Sequence, residues 1–269
     1  MHVSFQHWED FTRLSRPAIE LKGDEIQIWR VPVLGDRKAL CDLAACLSPD
    51  EHERANRFAV KPARDQFITG RAALRQMLGA CLNVEAAALT FDYQPRGKPY
   101  LDARRWQTEV RFNVSHSGSW VVIALTHARE VGVDIEAIER VADWQLLAGR
   151  IFSPGELSGL RALPELQQRE AFYHGWTRKE AYLKATGEGL IDALVEIEVT
   201  LVSGHEPELL AVPAGAEELG RWEMRAIPLP AGYAGAVVFE AGERRDFSCK
   251  SARYGSGSAH ERTPSGRSR

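Results

Sequence analysis

The chain repeats itself. Segments 105 residues apart resemble one another, without a gap, in three separated blocks. Glu25-Ile26-Gln27-Ile28 falls on Glu130-Val131-Gly132-Val133, and Ser48-Pro49-Asp50-Glu51 on Ser153-Pro154-Gly155-Glu156. Arg64-Asp65-Gln66-Phe67 falls on Arg169-Glu170-Ala171-Phe172, and Gly70 on Gly175. Identities are few, but one register survives all three blocks, and the period is too long for a solenoid unit. The first block reads as a short strand. Ser-Pro-x-Glu is a helix start, with Ser48 or Ser153 as N-cap, proline at N1 and glutamate at N3 closing a capping box. That position gives Glu156 a structural reading. The third block opens helical stretches, Phe67 to Leu78 and Phe172 to Leu183, with no interior proline. Each half is thus a strand, a capped helix, a long helix and further strands.

The copies differ in charge. Trp29 and Val31 correspond to Asp134 and Glu136, and Arg75 to Glu180, so three carboxylates occur in one copy only. Such a pair of halves expects a site in the cleft between them, with one acidic and one basic face. In Gly132-Val133-Asp134-Ile135-Glu136 the acids alternate with apolar residues, which puts both on one face of a strand, roughly 6.6 Å apart. Two carboxylates at that spacing can share a cation whose oxygen ligands sit at about 2.0–2.1 Å, although a lone Asp-x-Glu is ordinarily a solvated strand face. In Trp176-Thr177-Arg178-Lys179-Glu180-Ala181-Tyr182-Leu183-Lys184, residues 176, 180 and 184 share one helix face. Alone, that pattern is a surface ion-pair set.

Upstream, Phe112-Asn113-Val114-Ser115-His116-Ser117-Gly118 reads as a strand ending in small polar residues. Ser115 and His116 can donate to phosphate oxygens, and Gly118 lets backbone approach closely. Gly97-Lys98-Pro99 reads as a turn holding Lys98 outward.

Charge narrows the classes of partner. Beyond Gly242 seven Lys/Arg face three acids, so residues 1–242 carry 27 basic against 34 acidic groups. So acidic a body is not a general nucleic-acid binder, whose affinity rests on neutralising phosphates; any bound anion needs a local basic cluster. The segment after Gly242, rich in Ser, Gly and Arg, is expected to be disordered. The most apolar stretch, Trp120 to Leu125, is far too short to span a bilayer, and no signal peptide is read. Cys41, Cys46, Cys81 and Cys249 form no Cys-x-x-Cys pair, which fits free thiols in a reducing cytoplasm.

Taken in order, GKP at 97–99, FNVSHSG at 112–118, GVDIE at 132–136, FSPxE at 152–156 and WTRKEAYLK at 176–184 resemble the Sfp-type (surfactin-synthetase-activating) 4′-phosphopantetheinyl transferases. The likeness runs from about Leu47 to Leu190. It implies an α+β fold, a pseudo-dimer of two similar halves with the active site in the cleft between them. We set the halves at 1–118 and 119–242, with a basic tail at 243–269. The implied activity moves the 4′-phosphopantetheine arm of coenzyme A to a serine of an apo acyl or peptidyl carrier protein, with Mg²⁺ as cofactor. Asp134, Glu136 and Glu180 would hold Mg²⁺ against the coenzyme A diphosphate, with Glu180 also the expected base. Lys184 would pair with a phosphate oxygen, with Lys179 as a less secure second cation. His116 would donate to the diphosphate, and Ser115 and Lys98 would line the same pocket. Lys61, Arg64 and Arg71 are the expected contacts to the adenosine side. A monomer is expected, because both halves of the cleft lie in one chain.

Two other readings use the same residues. Another Mg²⁺-dependent phosphoanhydride enzyme, a hydrolase or nucleotidyl transferase, would share the three acids and differ in its acceptor. A non-catalytic binding module would keep them as a solvated face and show no dependence on divalent ions.

Overall fold

A computed structural model describes the chain except for residues 14–17, 96, 140–142, 188–190, 203–205 and 243–269, with backbone alone at 191–193. The tail expected to be disordered lies outside the described residues, as does Cys249.

The first half runs β1 (His2–His7), α1 (Trp8–Thr12), β2 (Glu25–Pro32), α2 (Arg37–Ala44), α3 (Pro49–Asn56) and α4 (Lys61–Leu82). After a 3-10 turn at Ala86–Ala88 come β3 (Asp92–Tyr93), β4 (Pro99–Tyr100), α5 (Ala103–Trp106), β5 (Val110–Ser117) and β6 (Trp120–His127). The second half repeats the series: β7 (Val131–Ala137), α6 (Trp144–Ile151), α7 (Pro154–Ala162), α8 (Glu165–Thr186) and a 3-10 turn at Ile191–Glu196. It ends with β8 (Glu198–Val199), β9 (Leu209–Ala211), α9 (Ala216–Leu219), β10 (Trp222–Ala226) and β11 (Tyr233–Glu240).

Sheet order makes the duplication explicit. One sheet is ordered β1-β2-β6-β5 and the other β10-β11-β7. In both, the half's leading strand pairs antiparallel with the last strand of its closing hairpin, β2 with β6 and β7 with β11. Strand β1, parallel to β2, is the addition peculiar to the first half. Both Ser-Pro-x-Glu segments form the expected capping boxes at the starts of α3 and α7. The fold is the α+β pseudo-dimer expected.

Period two in the strands divides three cores. Ile26 and Ile28 of β2, Val122 and Ala124 of β6, and Val131, Val133 and Ile135 of β7 are buried together between the two sheets. The opposite face of the first sheet, with Trp29, Val31, Val121 and Ile123, packs on Phe67, Leu74 and Leu78 of α4. The outer face of the second, with Ala234, Ala236 and Val238, packs on Ala181 and Ala185 of α8. The layers are therefore helix, sheet, sheet, helix, each large apolar side chain stabilising by about 1.5–3 kcal/mol over exposure.

Two expectations need correction. The boundary at 118/119 would cut the β5–β6 hairpin, yet β6 is hydrogen-bonded between β2 and β5 in the first sheet. The halves meet after His127. The proposed basic counterpart of Glu180, Arg75, is 1% exposed and donates to Glu51 Oε2 at 2.5 Å and to the carbonyls of Ala86 and Leu89. Its structural analogue is Lys179, whose ammonium donates to Glu156 Oε2 at 2.6 Å and to the carbonyls of Ile151 and Leu194. In each half a cation from the long helix thus neutralises the capping-box glutamate inside the core, and no basic wall of the cleft comes from Arg75.

Candidate active site

The acids lie at the seam between the halves. While Val131, Val133 and Ile135 fill the inter-sheet core, the intervening residues of β7 turn toward α8. Gly132 sets how close that helix can come: a Cβ there would overlap the backbone of Ala181 and Ala185. With backbone on backbone, α8 brings Lys184 Nζ to 2.5 Å from Asp134 Oδ1. Glu180 lies one turn before Lys184, half-buried, within reach of the charges on Asp134 and Glu136.

The first half reaches the acids through β5, the edge of its sheet. Its alternate residues Asn113, Ser115 and Ser117 point at the edge of β7. Asn113 Oδ1 accepts from the Val133 amide at 2.9 Å, Ser115 Oγ from Ile135 at 3.4 Å, and Ser117 Oγ from Ala137 at 3.0 Å. These side chains satisfy donors that a neighbouring strand would otherwise pair. Both serines also donate, Ser115 to Asp134 Oδ1 and Ser117 to Glu136 Oε2, each at 2.8 Å.

Electrostatics follow from this crowding. Burial, then the Asp134 charge, raises the Glu136 pKa above its usual value, opposed by Ser117, Lys184 and a hydrogen bond from Trp176. Burial raises Glu180 likewise, then Asp134, with Lys184 opposing. His116 is solvent-accessible on the other face of β5. The protein around its ring, and then the Lys184 charge, hold its pKa below the ordinary histidine value, which favours a neutral imidazole.

Asp134 tests whether a cation suits these residues. Its Oδ1 is taken by Ser115 and Lys184, whereas its Oδ2 is buried and has no hydrogen-bond partner. A bare carboxylate oxygen in protein interior is costly, and here two further carboxylates neighbour it. Among the described residues no three such groups are drawn together tightly enough to hold a metal as they stand. Side-chain rotation would have to close the set. The donors themselves, all hard carboxylate oxygens, suit Mg²⁺.

The other expected residues divide. Lys61 and Arg64 stand on the exposed first turns of α4, Lys61 beside Asp65 at 2.5 Å and Arg64 on Asn56 at 3.3 Å. Arg71 is instead spent on Glu51 at 2.6 Å and the Tyr93 hydroxyl at 2.8 Å, stacked over Phe91. Lys98 turns inward rather than outward and donates to the Lys184 carbonyl at 2.7 Å near the end of α8; burial lowers its pKa, opposed by Glu130. It still lines a cavity of about 270 Å³ with Gly97, Asn113, Leu183 and Lys184. Ser115 is buried and faces Asp134, not this cavity. Lys179 is fully buried, its three donors consumed, so it has none left for a phosphate.

Sequence reasoning missed Asn113, Ser117, Trp176 and Tyr233. Period two from Ser115 would have put 113 and 117 on its face, and the spacing of four already set Trp176 beside Glu180. Tyr233 had no sequence signal. Its hydroxyl accepts from the Ser119 amide at 2.9 Å, while Gln66 donates to the Gly118 carbonyl at 2.7 Å. One residue from each half thus grips the β5–β6 turn, in which Gly118 has φ +54°.

Residues 35–128 match the 4′-phosphopantetheinyl transferase N-terminal family, and residues 130–238 the 4′-phosphopantetheinyl transferase superfamily. The 4′-phosphopantetheinyl transferase HetI of Nostoc sp. is 43% identical over 198 residues, spanning 74% of this chain and 83% of the relative. The 4′-phosphopantetheinyl transferase Sfp of Bacillus subtilis is 31% identical over 144 residues, 54% of this chain and 62% of that one. Among solved structures, a holo-(acyl-carrier-protein) synthase from Bacillus anthracis, in complex with CoA, aligns with 41% of this chain and 94% of its own. Its identity is 21% and the TM-score 0.34. The two family matches meet at residue 129, beside the break between the structural halves, and with a relative this similar over most of its length the chain belongs to the 4′-phosphopantetheinyl transferase family.

Proposed function

We propose that the chain transfers the 4′-phosphopantetheine arm of coenzyme A to a serine of an apo acyl or peptidyl carrier protein, releasing 3′,5′-ADP. The observation that carries this reading, in a chain of this family, is Asp134. It sits at the seam between the halves with Oδ1 saturated, Oδ2 bare, and Glu136 and Glu180 beside it.

Asp134, Glu136 and Glu180 would hold Mg²⁺, which when bound neutralises charge on the diphosphate and on the leaving 3′,5′-ADP. Lys184, already at the acids, exchanges Asp134 for a phosphate oxygen as the diphosphate arrives. His116, neutral at physiological pH, donates a ring N–H to the same group without adding charge. Lys61 and Arg64 on the exposed end of α4 serve the phosphate of the adenosine side, and Lys98 forms the floor of the adjoining cavity. The carrier serine attacks the phosphorus bearing pantetheine while Glu180 takes its hydroxyl proton. The bond to the bridging oxygen breaks, and 3′,5′-ADP departs with the electron pair.

That both halves of the seam belong to one chain supports a monomer as the active unit. A reaction between coenzyme A and a carrier protein fits a cytoplasmic location. Among the described residues no helix is long and apolar enough to cross a membrane.

The test is incubation with coenzyme A, Mg²⁺ and apo carriers from fatty acid, polyketide and nonribosomal peptide synthases, read by intact mass. A gain of one phosphopantetheinyl group on one of them is expected, abolished by chelation. Turnover of phosphoanhydrides with every carrier unmodified would replace this reading with a hydrolase or nucleotidyl transferase.

A further inference from the structure

The three rungs between β5 and β7 are not equivalent. Each satisfies one amide of β7, at Val133, Ile135 and Ala137. The Asn113 rung stops there, because the residue before Val133 is Gly132, which has no carboxylate. In the next two rungs the residue before the bonded amide is an acid, and the hydroxyl that accepts from the amide donates to that acid. The arrangement at Ser115 and Asp134 recurs at Ser117 and Glu136, two residues along both strands. A serine hydroxyl suits the task because it can accept and donate at once, whereas the asparagine oxygen only accepts.

From this repeat, and resting on the transferase reading above, we infer that Ser117 is a positioning residue that fixes the Glu136 carboxylate for the cation of the reaction. A glutamate side chain on a strand has three rotatable bonds. Ser117 ties Oε2 to the backbone frame of β7, and Trp176 bonds the carboxylate from α8. Held from both sides, Glu136 meets the cation in one orientation rather than many. Ser117 does not touch the reacting atoms. Its whole effect passes through Glu136, while Ser115 does the same for Asp134 with Lys184 as an added partner.

Full-length wild type, Ser117→Ala, Ser117→Thr and the rung control Asn113→Ala are compared in two assays. The first is holo-carrier formation against Mg²⁺ concentration. The second, without carrier, is the rise in melting temperature with Mg²⁺ at fixed coenzyme A. In both, Ser117→Ala is expected to raise the half-saturating Mg²⁺ roughly tenfold, the cost common for partners that orient metal-binding groups. Its KM for the carrier should stay at the wild-type value, and Ser117→Thr should recover much of the loss. Asn113→Ala should lower the melting temperature with little change in the Mg²⁺ midpoint. Ser117→Ala protein that melts lower but titrates with Mg²⁺ like wild type would overturn the inference, reducing Ser117 to a rung. Wild-type protein that modifies no carrier would remove the transferase reading and this inference with it; wild type that does so alongside an indifferent Ser117→Ala removes this inference alone.

Discussion

Lys184 Nζ lies 2.5 Å from Asp134 Oδ1 and 3.0 Å from Ser115 Oγ, so one ammonium ties α8 to β7 and, through the serine, to β5. Three elements from two halves share that point. The ammonium offsets part of the repulsion among three acids, yet burial first, and the Asp134 charge after it, still make Glu136 and Glu180 bind protons more readily than ordinary carboxylates.

Burial and the neighbouring Asp134 charge together give a pH signature. The folded Glu180 pKa is raised above its ordinary value of 4.5, so in the window above 4.5 the folded chain holds a proton that the unfolded chain has lost. Stability from this group is full below the window and falls as pH climbs through the raised pKa. In the metal-free protein, Glu180→Gln should therefore melt near wild type at the acid end and above it toward neutral pH. The same variant should form no holo carrier at any pH while keeping its fold. A melting difference that does not change with pH would contradict the shift, and a folded variant transferring at the wild-type rate would remove Glu180 from the chemistry.

Two lysines five residues apart should fail in opposite ways. Lys184 is 30% exposed at its side chain and faces the seam; Lys184→Met should lose roughly 1–3 kcal/mol of stability and weaken coenzyme A at least about tenfold, the worth of one charge-assisted contact. Lys179 is enclosed with Glu156. Lys179→Met leaves a buried carboxylate unpaired and should cost about 3–5 kcal/mol, with the coenzyme A KM of the folded fraction unchanged. Urea titration beside steady-state kinetics separates the two. A Lys179→Met protein of normal stability with weak coenzyme A binding would return Lys179 to the pocket.

These lysines also mark how far the sequence could be read. Helical spacing alone put Lys184 on the face of Glu180 and Lys179 on another, and it signalled both capping boxes. It could not say what lay across from Lys179, because Glu156 is 23 residues away and meets it only when α7 packs on α8. The linear register of 105 paired Arg75 with Glu180, whereas the buried ion pairs match Arg75 with Lys179. Arginine and lysine reach the capping glutamate from adjacent positions, and no alignment records side-chain reach. The acids of β7 were legible because two charges in an apolar strand stand out. The hydroxyls that hold them were legible only as residue types, since which oxygen a serine faces depends on an edge-to-edge approach of two sheets.

Gly132 is where that packing is tightest. A Cβ there would strike the backbone of Ala181 and Ala185 and come within 2.8 Å of the Lys184 carbonyl carbon, and backbone cannot rotate aside. Gly132→Ala should push α8 off β7, costing about 1–3 kcal/mol and drawing Glu180 and Lys184 away from Asp134. Gly159→Ala is the control. It lies within α7 with nothing inside 4 Å of the added carbon and should be neutral or stabilise by up to about 1 kcal/mol. The expected result is a lowered urea midpoint and a raised Mg²⁺ requirement for Gly132→Ala alone. Wild-type midpoints in both variants would mean that α8 does not rest on that glycine.

Tyr233 opens β11 of the second half, yet its hydroxyl accepts from the Ser119 amide in the first half's β5–β6 turn. That turn follows His116 and Ser117 directly, and Gln66 of α4 holds its other side through the Gly118 carbonyl. Because the Ser119 amide can turn to water when the hydroxyl is gone, Tyr233→Phe should cost no more than about 1 kcal/mol in stability. Loosening the turn, however, loosens the strand end that carries His116, the proposed donor to the diphosphate, and Ser117, which meets Glu136. Activity should accordingly fall more than stability: kcat/KM for coenzyme A several-fold down, with the melting temperature nearly unchanged. Amide hydrogen exchange gives the independent reading, with faster exchange at Ser119 and its neighbours while the centres of β5 and β6 keep wild-type protection. Unchanged exchange at the turn together with unchanged kinetics would show that the Gln66 contact and the Gly118 backbone hold it without help from the second half.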